Sequence, residues 1–395
     1  MAGGGRAQLA DIFRAHGQAY LDAHALSRAQ AKAWRAIVAC RTVALGGHLE
    51  RCDRCAATRH VYHSCRNRHC PKCQTRAKEQ WIGARQRELL PVPYFHLVFT
   101  LPHAVNRLAG LHSRALYEAL FESVSLTLTE FGANPRWLGG TLAFTLVLHT
   151  WAQNLTRHLH VHALVAGGAL TANGHWVASR RGFLFPVKAL SRVFRGKFIA
   201  AIEEKRKLGR FGDETKLTDT AWRQMIGELR RHDWVVYAKQ PLGGPAQVLD
   251  YLARYTHRVA ISNDRIMGLD RGEVSFRVRA SAKGSTKRVE QLPAETFIGR
   301  FLQHVLPPGF KRIRHYGLLA SAHKVEKLAA CRVAFQLPEP QAPLIETVDA
   351  FMRRVAKIKI TCCPVCKIGR LQLIAPIATV RPLWHPKLAT GPPAP

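Results

Sequence analysis

The chain has 395 residues, 59 of them Lys or Arg and 26 Asp or Glu, for a formal charge of +33, and 47% of it is hydrophobic. That is enough apolar residue for about two or three folded domains, while no apolar run reaches the ~18–20 residues of a membrane span. A field this positive selects a polyanion, nucleic acid ahead of an anionic membrane surface. The start, MAGGGRAQLADIFRAHG, has no apolar stretch of secretory-signal length. The expectation is a cytoplasmic protein with no membrane partner.

Residues 1–45 have the Ala-rich, Leu-spaced pattern of helices. Residues 46–80 lack long apolar runs and are rich in Cys, His and Arg, so a metal must replace the missing core. The chain has 10 cysteines, which in a cytoplasmic setting argue for metal over disulfides. Cys52-x-x-Cys55 and Cys70-x-x-Cys73 form two knuckles, and each can grip a tetrahedral Zn²⁺ with two thiolates at about 2.3 Å. The spacing between them suits a ribbon built around one structural zinc, with Cys65 or His69 as rival or additional ligands. The alternative is a set of buried free thiols.

PYFHLVFTLP (93–102) reads as a strand bounded by prolines, 104–131 as a helix, and TLAFTLVLHTW (141–151) as a buried strand. HLHVHALVAGGAL (158–170) is a further strand, with HWVAS (175–179) as its return. Helices are expected over 187–208 and 219–231, a strand over 233–242, and a helix over 246–258 that Pro245 starts. Residues 273–280 and 287–292 form a hairpin, and 295–306 a helix. PPGFKRIRHYG (307–317) is basic and aromatic. From about 335 the chain becomes Pro-rich and loses periodicity, and 381–395 reads as disordered. Cys363-x-x-Cys366 is a knuckle without an obvious second pair; Cys331 is the remaining candidate partner.

Two stretches carry chemistry. In HLHVH (158–162) the alternation puts His158, His160 and His162 on one strand face. Imidazoles separated by one residue can hold a divalent cation that grips a phosphate oxygen as a Lewis acid. The bland alternative is a polar sheet face that happens to be rich in histidine. In GGPAQVLDYLARYTHRVAISN (243–263), Tyr251 and Tyr255 are four residues apart, on one helix face. That spacing also fits core packing, while Arg254, His257 and Arg258 on the same helix suit a phosphate backbone. A phenol near pKa 10 is a poor nucleophile unless a metal polarises its target.

Histidine–hydrophobic–histidine ahead of a tyrosine helix resembles the HUH nucleases; both His158-Leu159-His160 and His160-Val161-His162 fit. The order of a Cys-rich module, an FTLP strand, WAQNLTRHLHVHALVAGG, the tyrosine stretch and RIRHYG is similar to the IS91 family of two-tyrosine rolling-circle transposases, over roughly residues 10–330. That family usually has proline where this chain has Leu159, a change that keeps a strand. The resemblance implies an α+β protein: an HUH-endonuclease-like antiparallel sheet with flanking helices, preceded by a small helical, zinc-binding domain. The implied division is 1–90 for zinc and DNA recognition, 91–330 for catalysis, and 331–395 as an extension. It further implies Tyr251 and Tyr255 as nucleophiles that form a 5′-phosphotyrosine on single-stranded or unwound element ends. His160 and His162 would hold Mg²⁺ or Mn²⁺, with His158 or Gln153 as third ligand, and Arg254, His257, Arg258, Arg312 and Arg314 would contact phosphate. A plasmid replication initiator or relaxase would share this chemistry, and a zinc DNA-binding regulator would lack it. No phosphate-binding GxxxxGK[ST] loop is visible, so unwinding falls to a host helicase.

Overall fold

The computed structural model describes residues 6–180, 182–212, 218–242, 247–248, 260–279, 287–338, 346–380 and 388. In chain order it runs through α1 (Leu9–Ala23), α2 (Arg28–Ala39), β1 (Gly47–Cys52), β2 (Thr58–Tyr62), α3 (Gln74–Gln86) and β3 (Tyr94–Thr100). There follow α4 (Asn106–Leu111), α5 (Ser113–Ala133), β4 (Thr141–Trp151), β5 (Arg157–Leu170), β6 (Trp176–Ala178), α6 (Val187–Lys207), α7 (Asp219–Arg231) and β7 (Val236–Leu242). Then come β8 (Ile266–Asp270), β9 (Glu273–Arg279), β10 (Lys287–Pro293), α8 (Ala294–Leu302), β11 (Ile313–Gly317), α9 (Lys324–Ala334), α10 (Val348–Ala356) and β12 (Leu371–Ile377). The fold is α+β, and the named strands of the described residues all pair antiparallel.

The main sheet has the order β11-β4-β5-β3-β7, with β6 on the far end of β5. Alternation sorts its two faces. Phe95, Leu97 and Phe99, Phe144, Leu146 and Leu148, and Leu159, Val161 and Val165 point into the large core beneath α5 and α6. Phe194 of α6 seals this layer, its ring 5.2 Å from those of Phe99 and Trp234. The opposite face carries Tyr94, His96, Thr145, His149, His160, His162 and Leu164. A smaller apolar cluster, including Tyr94, Leu164, Val248 and Leu328, covers one end of that face. The turn out of β11 needs glycine: Gly317 has φ +59, and a Cβ there would lie 1.8 Å from the Leu142 carbonyl oxygen.

A second unit joins distant parts of the chain. α2 starts with a capping box, in which Ser27 Oγ accepts from Gln30 N–H and the Gln30 side chain accepts from Ser27 N–H. α1 and α2 then bury Phe13 and Trp34 against α8 and the β10-β9-β8 sheet. Phe13 stands 4.5 Å from Trp34 and 5.6 Å from Phe301, ring to ring. The close approach of α1 to Trp34 requires Gly17, where a Cβ would fall 2.6 Å from the indole.

The three segments read from sequence are therefore interleaved. Residues 9–40 share a core with residues 260–302, and β12 pairs with β1 in a β12-β1-β2 sheet. The loss of periodicity after 335 does not mean loss of structure: α10 and β12 both form there. α10 is held by Arg354, which pairs with Glu79 at 2.9 Å and with Glu346. Most of 381–395, including the proline-rich stretch, lies outside the described residues.

Candidate active site and metal centres

The β4–β5 hairpin builds the histidine site. Its register sets His149 opposite His160 and Val147 opposite His162. His149, His160 and His162 each offer a ring nitrogen, all within 4.8 Å of one another. Ring centroids are 4.4 Å apart for His149–His162, 4.9 Å for His160–His162 and 5.3 Å for His149–His160. His149 and His162 are buried, and His160 is half-buried.

Neighbours orient these rings. His160 Nδ1 lies 3.0 Å from the His158 carbonyl, which can only accept, so Nδ1 carries the proton and Nε2 keeps its lone pair. His162 Nδ1 lies 2.8 Å from His96 Nε2 on β3. With the His162 nitrogen donating, its Nε2 is likewise free to ligate, the arrangement usual for metal-binding imidazoles. Burial pushes His160 down to about 4 and His96 to about 3, the latter helped by Lys239. Both rings are therefore neutral at physiological pH. Three imidazoles without a carboxylate make a donor set that fits a divalent cation and leaves positions for a substrate.

The third imidazole is thus His149, which the sequence reading missed. Its signal was a histidine inside the otherwise apolar TLAFTLVLHTW, on the strand that precedes HLHVH. The expected third ligands stand elsewhere. His158 lies outside the group of three, its ring 4.9 Å from that of His160 and 5.9 Å from that of His103, and Gln153 is exposed, its backbone carbonyl accepting from Arg265. Tyr251, Tyr255, Arg254, His257 and Arg258 lie outside the described residues. The residues that flank them do not: Val248 is buried on the histidine face, and Ala260 in the second core beside Trp151.

Two arginines expected to contact phosphate, Arg312 and Arg314, are half-buried. Arg314 lies 4.3 Å over the Phe121 ring and 5.0 Å from Phe310, on the far side of the sheet. Arg312 is so desolvated that it is lowered to about 10. Tyr237 and Lys239 of β7 are exposed on the histidine side, with Tyr237 paired in register to Val98, itself opposite His162.

The cysteines divide differently from the single ribbon expected. Cys40, Cys65, Cys70 and Cys73 form one group, and Cys52, Cys55, Cys363 and Cys366 another. The two N-terminal knuckles part because β1 carries Cys52 toward β12, whereas Cys73 begins α3 and turns toward the end of α2. In the first group, Cys73 Sγ is 3.4 Å from Cys40 and 3.6 Å from Cys65. Tetrahedral zinc with bonds of about 2.3 Å places its sulfurs about 3.8 Å apart. Cys40 was not among the expected ligands; it stands alone at the end of a helical stretch, outside any knuckle. His69 joins neither group, and its Nε2 faces the Leu306 N–H at 3.4 Å. Cys331, the expected partner of Cys363 and Cys366, is buried in the apolar cluster beside Leu328.

Residues 12–101 match the family described as "Transposase zinc-binding domain", and residues 143–327 the family described as "Putative transposase". The Sinorhizobium fredii protein "Putative transposase y4qJ" is 44% identical over 375 residues, 92% of this chain and 94% of its own. The Pseudomonas savastanoi pv. phaseolicola "Transposase for insertion sequence element IS801" is 26% identical over 330 residues, 80% of this chain and 77% of its own. A conjugative relaxase, TrwC, in complex with OriT DNA aligns over 41% of this chain and 73% of its own at 12% identity, with a TM-score of 0.23, too low to compare the folds. These matches define a transposase with an N-terminal zinc-binding domain. The chain belongs to the IS91 family of insertion-sequence transposases. Among the described residues, no helix is long and apolar enough to cross a membrane.

Proposed function

We propose that this transposase cleaves and rejoins single-stranded DNA at the ends of its element through a tyrosine nucleophile. The observation that carries the reading is the triad of imidazoles on one antiparallel face. His149, His160 and His162 would hold Mg²⁺ or Mn²⁺, and His96 would orient His162. When bound, the cation supplies Lewis-acid stabilisation of charge on a phosphate oxygen. The phenol of Tyr251 or Tyr255 attacks a backbone phosphorus, forming a 5′-phosphotyrosine and releasing a 3′-OH. The phosphodiester energy stays in that bond, so rejoining needs no nucleotide cofactor. Two residues that flank the tyrosines in sequence support this reading: Val248 is buried on the histidine face and Ala260 in the second core.

Tyr237 and Lys239 at the sheet edge offer an exposed ring and charge beside the imidazoles, the pairing that holds unpaired bases and their backbone. The Cys40, Cys65, Cys70 and Cys73 group lies within the matched zinc-binding domain and would hold its structural Zn²⁺. Arg254, His257 and Arg258 accompany the tyrosines as phosphate contacts, and strand separation is left to a host helicase.

The test is incubation of the full chain with single-stranded oligonucleotides of the element ends and Mn²⁺. A covalent adduct that survives SDS is expected, and it should vanish in the Tyr251→Phe/Tyr255→Phe double variant. An adduct retained in that variant would sink the tyrosine assignment. No adduct with any end sequence would favour a regulator that only binds DNA.

A further inference from the structure

We infer that Cys52, Cys55, Cys363 and Cys366 form a second zinc site, which fastens the end of the chain to its N-terminal module. The inference stands apart from the histidine reading. Neither matched family covers residues 363–366, and the first zinc group is complete without these four thiols.

The sulfurs are already spaced for a tetrahedral ion. Cys52 Sγ is 3.7 Å from Cys366, and Cys55 Sγ is 3.7 Å from Cys363, against about 3.8 Å for zinc tetrathiolate. The two halves repeat one design. In each, the N–H two residues after the first cysteine points at its sulfur: Arg54 to Cys52 and Val365 to Cys363, both at 3.4 Å. In each, the residue after the second cysteine takes a left-handed conformation, Ala56 at φ 54 and Lys367 at φ 61. Gly369 N–H donates to Cys366 Sγ at 3.3 Å. Such N–H donors favour thiolate.

The site also has a fitted wall. A Cβ on Gly369 would fall 2.3 Å from Cys52 Sγ, so the backbone is closed down onto the sulfurs. Asp53 locks the halves together. Its Oδ1 accepts from Arg370 N–H at 2.8 Å, and its own N–H donates to the Arg370 carbonyl at 3.0 Å. Cys362, the immediate neighbour of Cys363, instead turns toward the Lys367 carbonyl at 3.2 Å. That selection among adjacent thiols is what a built ligand set shows and a random cysteine-rich stretch does not. Four soft thiolates in tetrahedral spacing select zinc among the common cellular divalent ions.

The experiment is zinc analysis of the full chain together with cobalt substitution. Cys363→Ser/Cys366→Ser should lose one equivalent of zinc relative to the parent and about half of the thiolate-to-cobalt absorption. Cys65→Ser/Cys73→Ser should lose the other equivalent, and Cys362→Ser none. Gly369→Ala keeps every thiol and should release one zinc to a chelator at least tenfold faster than the parent. An unchanged zinc count in Cys363→Ser/Cys366→Ser overturns the site, as does a Cys362→Ser variant that loses an equivalent.

Discussion

His149 illustrates how a single side chain acquires meaning only through register. In sequence it is a polar interruption of an apolar strand; the antiparallel hairpin sets it opposite His160. If it is the third ligand, His149→Ala should abolish adduct formation as fully as His160→Ala, with oligonucleotide binding retained in a filter or mobility assay. His96 makes a different prediction, since it touches His162 rather than the reacting centre. His96→Ala should raise the Mn²⁺ concentration needed for half-maximal adduct by ~10–100-fold, with the yield recovering at saturating metal. A loss that no amount of Mn²⁺ restores would mean that His96 holds the sheet together instead. HLHVH was legible because alternation is local. His96 and His149 were not, because their membership depends on which strands become neighbours, and no local pattern states that.

At the level of elements, periodicity placed β3, β4, β5, α6 and α7 within a few residues, since each has a continuous apolar face. It failed for α10 and β12, where proline and basic residues obscure the pattern and pairing with β1 supplies the order. The cysteines failed for a related reason: Cys-x-x-Cys announces a half-site, but the nearest half-site in sequence is not the nearest in space. Two elements offer direct tests. Gly17→Val should force α1 away from Trp34, costing ~1–3 kcal/mol in a denaturant melt. Tyr237→Ala on edge strand β7 should weaken single-strand binding by ~1–3 kcal/mol if a base stacks there, leaving thermal stability nearly unchanged.

Over the whole molecule, charge and buried histidines set the response to solution conditions. With +33 spread over the chain, affinity for a single-stranded oligonucleotide should fall about 300-fold between roughly 50 and 200 mM salt if about six phosphates are neutralised. A flat salt titration would remove the electrostatic account. His304 is buried with Nδ1 near Thr150 Oγ1 and Nε2 near the Leu155 carbonyl, and burial lowers it to about 4. His315, between Thr145 and Arg85 and close to Lys324, is also lowered to about 4, first by burial. Both sit below the unfolded value of about 6.5, so the unfolded chain takes up their protons first. Their stabilisation is complete above that value and is lost as pH falls toward 4. The melting temperature should therefore drop through this window, and His304→Gln should flatten part of the slope.

The pairing of β1 with β12 also sets an order in time. Cys55 and its opposite number Cys363 are 308 residues apart. At ~5–20 residues per second, a ribosome needs about 15–60 seconds to travel that distance. Throughout that interval the first knuckle is half-built on the nascent chain, open to oxidants and foreign thiols. A transcript cut short anywhere before the last knuckle yields a polypeptide that can never complete it. The integrity of the amino-terminal module thus reports that translation has passed Cys366.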